Sequence, residues 1–177
     1  GAKAARDQAM QVKEKGIGGV VVQSTNADGT PAVSYDVIRN KDGSPFVAST
    51  VDEAKELRAQ KAATDSINAF TNDMVRGIAE NGGESQFFKS DAWQQAKSKY
   101  TFIANELRVA NGMGTLDKGS MEAIEGMMGA VDPSSYWQNA SKGLLTARDA
   151  TITKFNSKLR AHPGYDGPDY KPPDTSA

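Results

Sequence analysis

The stretch SDAWQQAKSKYTFIANELRVANG, Ser90 to Gly112, decides how this chain reads. Trp93, Tyr100, Ile103 and Leu107 fall with Ala96 and Ala110 at spacings of three and four, the period of one helix face. Ser90 is suited to cap that helix, and Asp91 favours its first turn, where the helix dipole is positive. Asn111-Gly112 closes it. The helical period recurs on both sides of this stretch. Downstream, Thr115 or Asp117 opens a short helix carrying Leu116, Met121, Ile124, Met127 and Met128, and Gly129 stops it. Asp132-Pro133 then supplies a cap and a first-turn proline, whose missing amide costs nothing at that position. The last helix follows, marked by Tyr136, Trp137, Ala140, Leu144, Ala147, Thr151, Ile152, Phe155 and Leu159, and His162-Pro163-Gly164 ends it.

Upstream, Thr50-Val51-Asp52-Glu53 is a capping box: the threonine hydroxyl accepts from the third helical amide while Glu53 reaches back to the cap. It opens a long helix that runs to about Glu80 and stops at Asn81-Gly82-Gly83. The apolar residues Ile67, Phe70, Met74, Val75 and Ile78 crowd its second half. Its first half, with only Leu57, is expected to project past the core or to meet another chain.

Segment 16–49 changes character. Val20-Val21-Val22 and Ala32 to Ile38 read as strands, with Asn26 to Pro31 and Asn40 to Pro45 as turns built around Asp28-Gly29 and Asp42-Gly43. Phe46-Val47-Ala48 is a candidate third strand. So few strands are not stable alone, so they are expected to lean on the helices or to join a neighbouring subunit's sheet. Residues 1–15 are good helix formers with few large apolar side chains, a marginal helical arm. Residues 164–177 are proline-rich and aperiodic, an extended tail that orders only where something holds it. The expected fold is thus mainly α (α+β): a small helical bundle over 50–163, a short β-hairpin or three-stranded element over 16–49, and extended terminal arms.

Composition narrows the function. Twenty-one Lys and Arg against 22 Asp and Glu leave a net charge of -1, without the global basic field that draws a chain to nucleic acid. Cysteine is absent, which removes disulfides and thiolate chemistry. No apolar run approaches a membrane-spanning length, and no charged-then-apolar leader pattern opens the sequence, so a soluble chain is expected. The first residue is Gly1, which fits a processed chain or a portion of a longer polypeptide.

Every candidate for chemistry has a plainer reading. His162 is the only histidine, which leaves no imidazole cluster for a metal, and its place at a helix end suggests capping. The glycines at 16, 18 and 19 precede a strand rather than follow one, and no Gly-Lys-Ser/Thr sequence occurs. The acids between Asp52 and Glu56 sit in a first helical turn, where acids are favoured anyway. Lys142, Arg148, Lys154, Lys158 and Arg160 make the last helix basic, but at about 100° per residue they scatter around it. No catalytic, cofactor or metal site is expected. Arg148 shares the arc of Leu144, Ile152 and Phe155, so it needs an acid or an interface. With it, Val21, Tyr35, Met127, Met128, Trp137, Tyr165 and Tyr170 are the candidate interface residues.

Five short pieces follow one another in a familiar order: Leu107-Arg108, Gly114-Thr115-Leu116-Asp117, Met121-Glu122-Ala123, Asp132-Pro133-Ser134-Ser135 and Phe155-Asn156-Ser157-Lys158-Leu159-Arg160. This layout resembles the short helical module near the ends of virion-internal and tail proteins of tailed phages. There a small-residue loop and a Thr or Ser cap open one helix, and an Asp-Ser-Pro-like step opens the next. The resemblance covers under a third of the chain, which departs from the pattern by running into a proline tail instead of a long polar helix. It implies a non-enzymatic structural component of a virus particle, in contact with other protein subunits. The alternative from the residues themselves is a cytoplasmic adaptor that binds a partner helix through Met121, Met127 and Met128.

Overall fold

The computed structural model describes residues 2–29, 31–99, 118–129 and 140–173. The chain is mostly helical. In order, the described elements are α1 (Ala2–Lys15), β1 (Gly18–Thr25), β2 (Pro31–Val37), α2 (Val51–Glu80), α3 (Glu84–Phe88), α4 (Asp91–Lys99), α5 (Lys118–Gly129) and α6 (Ala140–Arg160). The stretch that decides the sequence reading is described only as far as α4. The expected helix beyond Lys99, the start at Asp132-Pro133 and Trp137 lie outside the described residues.

The chain divides into two compact units. Unit 1 comprises Gly1–Lys61 and Asn156–Tyr170; unit 2 comprises Ala62–Phe155 and Lys171–Ala177. These units do not follow the segment boundaries expected from sequence, because α2 and α6 each contribute residues to both.

Unit 2 is held by one apolar cluster. Ala63, Ile67, Phe70, Met74 and Ile78 of α2 recur at intervals of three and four. They meet Phe87 and Phe88 of α3, Trp93 of α4, Ile124 of α5, and Ala140, Leu144 and Ala147 of α6. Trp93 packs edge-on against Phe88, with ring centroids 5.2 Å apart, and against Phe87 at 6.0 Å. Phe87 in turn lies so close to Gly77 that a Cβ there would stand 2.5 Å from the ring. Helix ends are satisfied locally. The Trp93 amide donates to Ser90 Oγ, which makes Ser90 the cap of α4. The Gly83 amide donates to Ile78 O across two glycines of positive φ, the closing arrangement of α2.

Unit 1 is built differently. β1 and β2 pair antiparallel, Gly18 opposite Val37 and Val20 opposite Tyr35, with a register shift between Val22 and Ser24. Gly29, at φ +86, turns the chain between them and donates its amide to Asn26 O. Val47 makes an isolated bridge to Gly16 and Pro45 one to Arg39, so Phe46 to Ala48 is bridged backbone and not a third strand. The reason is local: Gly43 at φ +85 reverses the chain, and the Asp42 carboxylate accepts from both the amide and the hydroxyl of Ser44. That hydroxyl is the main cause holding the Asp42 carboxyl below its usual range.

The first half of α2, expected to project past the core or to meet another chain, is packed in unit 1: Ala54, Leu57 and Gln60 are buried. The first of those expectations fails because small alanines and a glutamine make too weak an apolar stripe to announce this packing. The capping box is present with one shift. The Glu53 amide donates to Thr50 Oγ1, while the Glu53 carboxylate accepts from Ser49, one residue before the cap.

Candidate functional site

The terminal segments of unit 1 show how it is assembled. In α1 the described side chains are mostly exposed and Val12 is buried. Its C-terminal carbonyls are collected by Arg58 of α2, whose guanidinium donates to Gly16 O at 2.6 Å and Lys13 O at 2.8 Å. A cation on orphan helix carbonyls opposes the negative end of the dipole. The arm is thereby tied down at its C-terminal end.

The tail after α6 is held at almost every residue from Tyr165 to Tyr170, as a strap. Phe46, buried, is flanked edge-on by His162 and Tyr165, with centroids 6.0 and 5.2 Å away. The Tyr165 hydroxyl donates to Pro168 O, which closes a small loop. Burial pushes this phenol above its ordinary value. Gly167 sits inside the loop, where any Cβ would collide with Arg39 O and the Tyr165 hydroxyl. Asp166 and the Asn40-Lys41 turn exchange bonds: Lys41 N donates to the Asp166 carboxylate at 2.9 Å, and Asp166 N donates to Asn40 Oδ1 at 3.2 Å. Arg160 pairs with Asp169 at 2.6 Å. Asn156 then treats Tyr170 as a strand would, accepting from its amide at 2.6 Å and donating to its carbonyl at 3.0 Å. Lys61 lies 5.2 Å from the Tyr170 ring centroid.

Beside the strap is a cleft of about 310 Å³ lined by Glu53, Glu56, Leu57, Gln60, Lys158, Ala161 and His162. Glu53 Oε2 and His162 Nδ1 face each other at 3.9 Å, beyond hydrogen-bond reach. The acids read from sequence as a solvated face and the lone histidine read as a cap thus share one site. Its lining offers charges of both signs and no hydroxyl or thiol nucleophile. Among the described residues no three His, Cys, Asp or Glu side chains are grouped to hold a metal.

The interface candidates are dispersed. Tyr165 and Tyr170 share the strap, Tyr165 buried and Tyr170 half-buried. Val21 and Tyr35 lie on the paired strands, opposite Ser34 and Val20. Met127 and Met128 lie on α5, and Arg148 on α6. Arg148 donates to Asn72 at 2.9 Å and pairs with Asp149 at 3.0 Å. The residues that hold the strap, Asn40, Asn156, Asp166 and Gly167, were missed by sequence reasoning. Their bonds join side chain to backbone across 14 to 126 residues and leave no periodic trace.

Compared with family models, with curated proteins and with solved structures, the chain shows no match.

Proposed function

We propose that this chain is a non-enzymatic structural component of a tailed-phage particle, working in the capsid, connector, tail or interior through contacts with other protein subunits. The observation that carries the proposal is the β1–β2 pair: a two-stranded sheet of eight- and seven-residue strands, with no third strand beside it among the described residues. Such edges are templates for another chain's backbone. The pair acts as a hairpin that adds to a neighbour's sheet, and the exposed face of α1 supplies a second contact. No helix of the described residues is long and apolar enough to cross a membrane, which fits a particle component working in water. The layout of residues 107–160 adds the phage context. The adaptor alternative is weakened at one point, since Met121 packs against the apolar cluster of unit 2.

Sedimentation of the purified chain over a wide concentration range, with hydrogen exchange on the same samples, tests this. Association is expected, with amides of 18–25 and 31–37 gaining protection as it proceeds. Val21→Lys combined with Tyr35→Lys should weaken it by tenfold or more, because charge on strand edges opposes pairing. A monomer at every concentration would remove the proposal.

A further inference from the structure

We infer that Asn81-Gly82, where α2 ends, is a self-modification site: in the folded chain the Gly82 amide converts the Asn81 carboxamide to an acid through a cyclic imide, which loosens the corner between α2 and α3 with age. The inference goes beyond the assembly reading and does not depend on it.

The step needs only this dipeptide and water. The Gly82 nitrogen attacks Asn81 Cγ, the Cγ–Nδ2 bond breaks, and the proton lost from the Gly82 amide leaves on the departing ammonia. Water then opens the five-membered imide at either carbonyl, giving aspartate, or isoaspartate with the chain routed through Cβ. Two conditions favour it: a neutral amide as electrophile in place of an ionised carboxylate, and a following backbone amide free to attack.

Four pairs of Asn or Asp before Gly lie among the described residues, and only one meets both conditions. At Asp28-Gly29 and Asp42-Gly43 the glycine amide is committed as a turn donor, to Asn26 O at 3.0 Å and to Asn40 O at 2.9 Å. Ser44 also holds the Asp42 carboxyl below its usual range, which keeps it ionised. At Asp166-Gly167 the carboxylate accepts from Lys41 N, and Gly167 is buried against Arg39 O. Asn81-Gly82 differs on each count. Its electrophile is an amide, and the Gly82 nitrogen has no acceptor among the described residues. The last bond of the α2 ladder runs from Asn81 N to Gly77 O at 3.1 Å, the closing bond from Gly83 N to Ile78 O at 2.9 Å, and Gly82 falls between them. Gly82 is exposed at φ +82, with open space where a Cβ would stand. Swinging its nitrogen onto Cγ disturbs only the last turn of a helix, where opening costs least. The Asn81 Nδ2 bond to Gly77 O at 2.7 Å is made by the leaving nitrogen and departs with it.

The product puts charge where α2 tolerates it least. A carboxylate at position 81 has no proton to give the Gly77 carbonyl, and it stands at the negative end of the helix dipole between Glu80 and Glu84. Gly77 is also the residue against which the Phe87 ring closes, so the disturbance falls on the corner that sets Phe87 against Trp93.

The test holds the unaltered full chain in mildly alkaline buffer, alongside the same chain unfolded in guanidinium. Peptides are mapped by mass spectrometry, with isoaspartate located by electron-transfer fragmentation. Asn111-Gly112, the other Asn-Gly pair of the sequence, lies outside the described residues and is read as its own peptide. The expected result is conversion of Asn81 to aspartate and isoaspartate in the folded chain at a rate within about tenfold of the unfolded one, because a helix end opens at little cost. Isoaspartate at Asp28, Asp42 and Asp166 should lag behind it. The denaturation midpoint should fall as the converted fraction grows, and Asn81→Gln, which cannot close the five-membered ring, should keep its midpoint through the same incubation. An Asn81 that stays intact in the folded chain while the unfolded chain converts overturns the inference, because the fold then protects the site. Isoaspartate appearing first at any of the three aspartates overturns it as well, since a free glycine amide then does not select the position. A midpoint that drifts equally in Asn81→Gln overturns the loosening of the corner.

Discussion

Unit 2 is held by a single apolar cluster in which α2 and α6 contribute every third or fourth residue and α3 to α5 contribute aromatic, aliphatic and methionine side chains. Unit 1 buries Phe46 together with smaller groups such as Ala48, Ala54 and Leu57. It is closed by polar ties from Arg58, Asn40, Asn156 and Asp166 to backbone far away in sequence. The difference is one of cooperativity. An apolar cluster loses contacts on all sides when one member leaves, whereas side-chain-to-backbone ties release one at a time. Unit 2 should accordingly unfold as a block, and unit 1 should shed its arm and strap first.

The largest break in this comparison comes from the cluster. Phe70→Ala or Trp93→Ala should cost about 3–5 kcal/mol in equilibrium denaturation, because each removes a fully buried ring and leaves a cavity. Gly77→Ala comes next, at about 1–3 kcal/mol, since the added methyl has to displace Phe87 from its packing against Trp93. In unit 1, Asn156→Ala should cost about 1–3 kcal/mol locally, because it removes two side-chain bonds to the Tyr170 backbone. Its signature is faster exchange at the strap amides, with little change at Phe70 to Ile78. Gly167→Ala should show the same pattern, the methyl wedging the strap from Arg39.

The smallest effect is in pH. The Tyr165 phenol is raised above 10.0 by burial, so the folded chain keeps a proton that the unfolded chain loses at alkaline pH. Its contribution to stability is fully present below pH 10 and disappears as pH rises through the raised value. Ultraviolet titration of tyrosinate should show one late-ionising tyrosine accompanied by strap release. Tyr165→Phe should remove that phase.

The same contrast explains what the sequence made legible. The period of Ile67, Phe70, Met74 and Ile78 was readable because it repeats within one helix, and the caps at Thr50 and Ser90 because each bonds an amide three residues on. The strap was not. Its proline content reads as an open tail, and nothing near Tyr170 announces that Asn156, fourteen residues earlier, will pair with it. The cleft was equally hidden, because Glu53 and His162 are ordinary helix-end residues until the fold sets them face to face. Arg148 lies between these cases: its arc on the helix signalled a need for partners, and Asn72 and Asp149 supply them.

The central claim, that the strap opens as a separate step while the apolar cluster stays closed, is tested most directly by native-state hydrogen exchange on the full chain under increasing denaturant. The account predicts that the amides of Tyr165, Asp166 and Tyr170 exchange through a small, nearly denaturant-independent opening. Those of Phe70 to Ile78 should follow the global transition. A single opening free energy shared by both sets, with the same denaturant dependence, would contradict it.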